Sequence, residues 1–212
     1  MSRELMAVVA DKVESRYFGK YRAFVVENDD PEKRGRLRLR IPGVLGRDVV
    51  SGWALPCVPF GGANNQGHLF IPEQGAGVWV EFEAGDLDHP VWVGTFWSKP
   101  GGRSEIPRAN KADGTETDAP DPATRKIIKT AKGHTIQFED RDGEEMVVVV
   151  EATHGHVVAL DRDGVRVTEG RSGSFIEMTE SAFNIVSRKP FKIDASGQPV
   201  TIVGATIDFN KG

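Results

Sequence analysis

The sequence predicts an all-β protein, a small bent barrel followed by a long run of short strands, and three observations carry that reading. Residues 21–97 hold alternating apolar and polar segments separated by Gly, Asn, Asp and Pro. From Ile127 onward the apolar residues are mostly Val, Ile and Phe, with Leu160 the only leucine, a composition suited to strands and poor for helices. A loose repeat runs through the same region: Gly133-His-Thr-Ile-Gln-Phe138, Gly155-His-Val-Val-Ala-Leu160 and Gly173-Ser-Phe-Ile-Glu-Met178, with Asp142-Gly143 and Asp163-Gly164 after the first two. A repeated strand-and-turn unit belongs to a solenoid, prism or barrel rather than to a compact enzyme core.

Taken in order, the chain opens with a lead-in over residues 1–20. Leu5, Met6, Val8, Val9 and Val13 recur there at near-helical spacing behind Ser2 as N-cap, predicting a short amphipathic helix over 4–17. Tyr21–Val26 and Arg36–Ile41 alternate as a first hairpin around Pro31 and Gly35. Ser51–Pro56 is a third extended piece, and His68–Ile71 is expected to resume a strand after the glycines 61, 62 and 67. Val78–Phe82 and Pro90–Trp97 complete the set. Five strands in about eighty residues predict an OB-type barrel over 21–97, which manages its edges by closing the sheet. All four tryptophans lie in this half, and Trp79, Trp92 and Trp97 alternate with apolar residues as core aromatics do.

Residues 98–124 are rich in Pro, Gly, Asp, Lys and Thr with almost no apolar content, which reads as a linker or an extended arm on a surface. Residues 125–212 then form the second β region. Ile136/Phe138, Val158/Leu160, Ile176/Met178, Phe183/Ile185 and Ile193 fall on one face, with Gln137, Asp161, Glu177, Asn184 and Asp194 out of phase.

Composition narrows the function. The longest uninterrupted apolar run is Leu5–Ala10, six residues, far short of the roughly 20 that span a bilayer. Glu4, Asp11, Lys12 and Glu14 interrupt the start, so no signal peptide is read there and assembly in a bacterial cytoplasm is expected. Cys57, the single cysteine, excludes an internal disulfide; between Pro56 and Val58 it reads as a buried, inert thiol. A formal net charge of −4 lacks the basic excess of a nucleic-acid binder, although Lys33, Arg34, Arg36, Arg38 and Arg40 form one local cluster. The alternative function, an OB module binding nucleic acid or oligosaccharide, would rest on that cluster and on strand-face aromatics. Glycoside hydrolysis needs two carboxylates in a cleft; Glu105, Asp113, Glu116, Asp118 and Asp121 sit in a segment too short and too polar to build one. No phosphate loop, zinc helix motif or nucleophile elbow is present, so no catalysis and no cofactor are expected.

Arg34-Gly-Arg-Leu-Arg-Leu-Arg-Ile-Pro42, Trp53-Ala54 before Pro56, and Pro72-Glu-Gln-Gly-Ala-Gly-Val-Trp-Val-Glu-Phe82 followed by Gly85-Asp86 and Pro90-Val-Trp-Val-Gly94 together resemble the OB domain of the phage baseplate assembly protein V family. The tail, closing on Val203-Gly-Ala-Thr-Ile-Asp-Phe-Asn210, resembles that family's C-terminal intertwined trimeric β-prism or β-helix. The resemblance implies the central spike of a contractile tail or injection system: a homotrimer in a virion or injector particle, docked on a baseplate hub protein, with its C-terminal end open to a small tip protein, and piercing the target envelope on sheath contraction. One branch of the family inserts a lysozyme domain between barrel and prism, but residues 98–124 are too short to hold one, so no enzyme and no nucleic-acid partner are expected. Three chains wound about one axis would also remove the unpaired edges a lone chain of short strands exposes.

Two groups of residues stand out for a specific role. In the last segment Val200, Ile202, Ile207 and Phe209 alternate with Thr201, Thr206 and Asp208, which predicts the first set facing the axis. His154-Gly-His156 on a strand would put two imidazoles on one face, and three chains would supply six nitrogens for a metal. Some spikes of the family carry a His-x-His iron site, but at the C-terminal tip. Here Gly155 aligns with Gly133 and Gly173, and His134 recurs beside its glycine, which reads the pair as turn histidines and assigns no metal.

Overall fold

The computed structural model of the protein describes residues 15–117 and 123–210. The chain divides into two compact units, residues 1–105 and 106–212. All regular elements among the described residues are strands, apart from two 3₁₀ turns at Glu83–Gly85 and Pro100–Gly102. The helix expected over 4–17 lies outside the described residues except for 15–17, which are not helical.

The first unit is a closed five-stranded barrel of β1 (Tyr21–Glu27), β2 (Leu37–Arg40), β3 (Val50–Pro56), β4 (Gly77–Phe82) and β5 (Pro90–Thr95). Its order, β1-β2-β3-β5-β4 and back to β1, is that of an OB barrel. Four pairings are antiparallel; β3 and β5 run parallel through Leu55↔Val91 and Pro56↔Trp92. Period-two alternation points Ala23, Val25, Leu37, Leu39, Ala54, Val78, Val80 and Trp92 inward, all buried. The Trp92 indole N–H donates to the Gly35 carbonyl at 3.1 Å.

The loop between β1 and β2 is held by one carboxylate. Asp30 accepts backbone N–H bonds from Glu32 and Arg34 and pairs with the Arg36 guanidinium at 2.7 Å. Arg36 in turn stacks over Trp53, 5.5 Å from the ring centroid. Chiefly through the Arg36 hydrogen bond, Asp30 is held well below the usual carboxylate range.

Three expectations fail in this unit. His68–Ile71 is not a strand, because β4 already pairs with both β1 and β5 and the closed barrel offers no free edge. Residues 57–76 instead form an irregular loop, pinned by the His68 N–H to the Phe60 carbonyl and by edge-on packing of Phe60, His68 and Phe70. Cys57 is exposed, since β3 ends at Pro56 and Cys57 already belongs to that loop. Of the three aromatics read as core only Trp92 is buried; Trp79 lies on the outer face beneath Arg22, and Trp97 follows the end of β5 and is exposed.

The second unit is a seven-stranded antiparallel meander in chain order: β6 (Arg125–Lys129), β7 (Thr135–Glu139), β8 (Met146–Glu151), β9 (His156–Asp161), β10 (Gly164–Thr168), β11 (Phe175–Met178) and β12 (Phe183–Val186). Residues 106–117 form an arm across one face. Its Asn110 backbone exchanges two hydrogen bonds with the buried Gln137 amide, N–H to Oε1 at 2.7 Å and Nε2 to the carbonyl at 2.9 Å. Lys129 reaches the Arg108 carbonyl and pairs with Glu116. Under the arm sits a small core of Val148, Val150, Val157 and Ala159, with Ala112 against it. Gly114 turns the arm at φ +85°, and a Cβ there would come within 2.6 Å of Val157 Cγ2, so only glycine fits. After β12 the described residues 187–210 form no strand.

Candidate functional site

The Val147–Val150 run of β8 shows how the sheet divides. Val148 and Val150 point under the arm, whereas Val147 and Val149 point to the opposite face. The registers carry that second face across all seven strands: Ile128, Ile136 and Phe138, Val149, Val158 and Leu160, Val167, Ile176 and Met178, Phe183 and Ile185 lie together on it. The apolar set read from the alternation is this face, and Gln137, Asp161, Glu177 and Asn184 lie on the other. No described residue covers it, and ten of its large side chains are 40–63% exposed. At about 80 Å² each this makes a patch on the order of 800 Å², above the roughly 300–600 Å² of the largest patch on a typical monomer.

One rim of this face carries the histidines, and the repeat explains them. After each repeat glycine, at φ +88°, +75° and +71°, the next side chain accepts a backbone N–H from the following turn. His134 Nδ1 accepts from Ala152 at 3.2 Å, His156 Nδ1 from Gly170 at 3.1 Å, and Ser174 Oγ from Arg188 at 3.0 Å. The repeat is thus a device that ties each hairpin to the next. Glu151 and Glu169 alternate with the histidines along the rim, 3.8 Å from His134 and 3.7 Å from His156.

His154 sits in the turn before β9 and His156 at the strand's first position, their rings stacked with centroids 5.6 Å apart. Glu151, His154 and His156 bring one ligand-type atom each within 4.8 Å of one another. Each already has a task in the chain: Glu151 accepts the backbone N–H groups of Thr153 and His154, His154 Nδ1 lies 3.1 Å from Glu151 Oε2, and His156 Nδ1 accepts the Gly170 N–H.

Other carboxylates are also turn caps. Asp161 accepts from Asp163 and Gly164, Asp113 from Thr115, and Glu169 from the Ser172 hydroxyl and the N–H groups of Ser172 and Arg171. Led by the Ser172 hydroxyl, these bonds hold Glu169 down to about 2. The basic cluster of the barrel is largely neutralised within the chain: Lys33 pairs with Asp29, Arg34 with Glu32, Arg36 with Asp30 and Glu32, and Arg38 with Glu27. On the outer strand face Arg22 lies over Trp79 and Phe96, 5.6 and 5.8 Å from their centroids, so these rings are already stacked upon. The most conspicuous feature of this unit is therefore the bare apolar face with its polar rims, whose extent emerges only once seven strands are set in register.

No curated protein matches the chain. Residues 21–97 match the family model described as the type VI secretion system/phage-baseplate injector OB domain. The matched span is the closed barrel of β1–β5, which is therefore an OB domain of the kind found in type VI secretion and phage-baseplate injectors.

Proposed function

We propose that this baseplate protein is the central spike of a contractile tail or injection system, a homotrimer that docks on a hub protein below the tube and pierces the target envelope when the sheath contracts. The match of the barrel to the injector OB domain supports a structural role in a baseplate particle; the observation that carries the finer reading is the bare apolar face of the β6–β12 sheet.

Simple geometry favours three copies. Strands of about five residues are about 17 Å long, and seven of them stack to about 29 Å. A triangular column with sides of about 17 Å sets each sheet about 5 Å from the axis, half the roughly 10 Å at which two sheets pack face to face. The inward side chains of three sheets then fill the centre. Two sheets face to face would cover the same residues but pack about 10 Å apart across a flat seam, with no third sheet to close the sides along which the turns lie. Residues 187–210 fit the same picture: Val200, Ile202, Ile207 and Phe209 are exposed and would turn to the axis as the column narrows. A small tip protein could cap that end. The particle would be assembled in the bacterial cytoplasm, and the mechanism is mechanical, with no catalytic step.

Light scattering on the purified chain tests this reading, with three chain masses the expected result. Ile202→Asp or Ile207→Asp should reduce that mass to one chain. A folded, stable trimer in either variant would overturn the inward register of 200–209, and a monomeric unsubstituted chain would overturn the trimer.

A further inference from the structure

A meander turns alternately at its two edges. On one edge of the β6–β12 sheet lie the turns 130–134, 152–155 and 169–174 and the exit at 187–189; on the other lie 140–145, 162–163 and 179–182. Turns on opposite edges are therefore offset in height by one strand spacing, about 4.8 Å. The edges also differ in charge. On the first, the exposed cations Lys132, Arg171 and Lys189 have no ion-pair partner among the described residues. On the second, the exposed acids Asp142, Glu145 and Glu180 have none.

We infer that the sheets close edge to edge in one sense around the threefold axis, with the cationic edge of each copy seated in the acidic edge of the next. The inference rests on the trimeric reading above and names the contact that would close it. Rotation about the axis without translation brings every turn of one edge opposite a gap between turns of the neighbour, so the turns interdigitate. The 169–174 turn, with Arg171, then falls between 162–163 and 179–182 and meets Glu180. Lys132 falls beside the 140–145 turn, with Asp142 and Glu145, and Lys189 falls beyond Glu180. The apolar face supplies the driving force for association, and the rim charges select partner edge and register. Two cationic edges, or two acidic edges, brought together would repel, so the charge pattern favours the closed ring over a face-to-face pair whose like edges meet.

Charge reversal on the full chain tests this. Lys132→Glu with Arg171→Glu and Lys189→Glu, and separately Asp142→Lys with Glu145→Lys and Glu180→Lys, alter only exposed turn residues. At low salt each triple variant should half-dissociate at a concentration about tenfold above that of the unsubstituted trimer, the difference shrinking as salt rises. Combining all six changes should restore the original dissociation midpoint. If the sixfold variant has an altered circular dichroism spectrum, Arg171→Glu with Glu180→Arg provides the same swap in a milder form. A trimer that dissociates at the same concentration with or without either triple change overturns the edge pairing while leaving the trimer intact. A chain that is not trimeric before any substitution overturns both.

Discussion

The barrel and the sheet are built from strands of similar length and composition, yet they solve the same problem in opposite ways. In the barrel, β4 returns to β1 and β3 reaches β5 in parallel, so every strand has two neighbours and Leu37, Leu39, Val78 and Val80 are fully enclosed. The meander of the second unit has two free edge strands, β6 and β12, and a face of ten exposed apolar side chains. The first is closed within one chain. The second is half closed, its arm covering one face and leaving the other bare. A core that a single chain completes gives stability, whereas the bare face is what the proposed trimer would cover.

Two substitutions sharpen that contrast. Ile176→Asp, in the middle of the bare face, should abolish the trimer outright while leaving the thermal transition of the barrel unchanged; light scattering and calorimetry on the same sample check both halves. Leu39→Ala, in the sealed core, should do the reverse, costing about 2–5 kcal/mol in denaturant unfolding of the barrel while the protein remains trimeric. If Ile176→Asp destabilised the folded unit as Leu39→Ala does without altering mass, the division between the two cores would be wrong.

A smaller effect is expected where the arm meets the sheet. Gly114→Ala forces a Cβ into Val157 at a left-handed backbone position and should cost about 1–3 kcal/mol, lifting the arm from Val148, Val150 and Val157. Faster hydrogen exchange in β8 and β9 would report it. Unchanged exchange there would mean that the arm does not seal this face.

Much of this was legible in the residues, and the misses share a cause. Alternation placed the barrel strands within a residue or two and put Ile136, Phe138, Leu160, Ile176 and Met178 on one face, because period-two burial is a local property. His68–Ile71 has strand composition, but whether a strand forms there depends on a free edge, and closure of the barrel removes it. Cys57 and Trp97 were misjudged in the same way: each lies just past a strand end, where the alternation that predicts burial no longer applies. The glycine repeat was visible, whereas its purpose was not, since the acceptor roles of His134, His156 and Ser174 connect residues 14 to 18 positions apart. The arm was half legible. Its polar composition reads as a linker or an extended arm on a surface, and only the Gln137 amide, a polar residue on an otherwise favourable strand, hints at which surface it covers.

The smallest expected effect compares how acid loosens the two units. Glu169 is held to about 2 by the Ser172 hydroxyl and two backbone N–H groups, against an ordinary value of 4.5. Because its folded value is depressed, its contribution to stability is fully present above about 4.5 and is lost as pH falls from there toward 2. Asp30 is depressed further by Arg36, so its contribution begins to fade only below its own ordinary value of 3.8 and persists to lower pH. Acid should therefore release the 169–174 turn before the β1–β2 loop. Glu169→Gln keeps one acceptor oxygen but removes the charge, so the variant should melt slightly below the parent at pH 7, with the gap closing between pH 5 and 2. A gap that stays constant across that range would mean that the turn is held by its backbone geometry rather than by the ionised carboxylate.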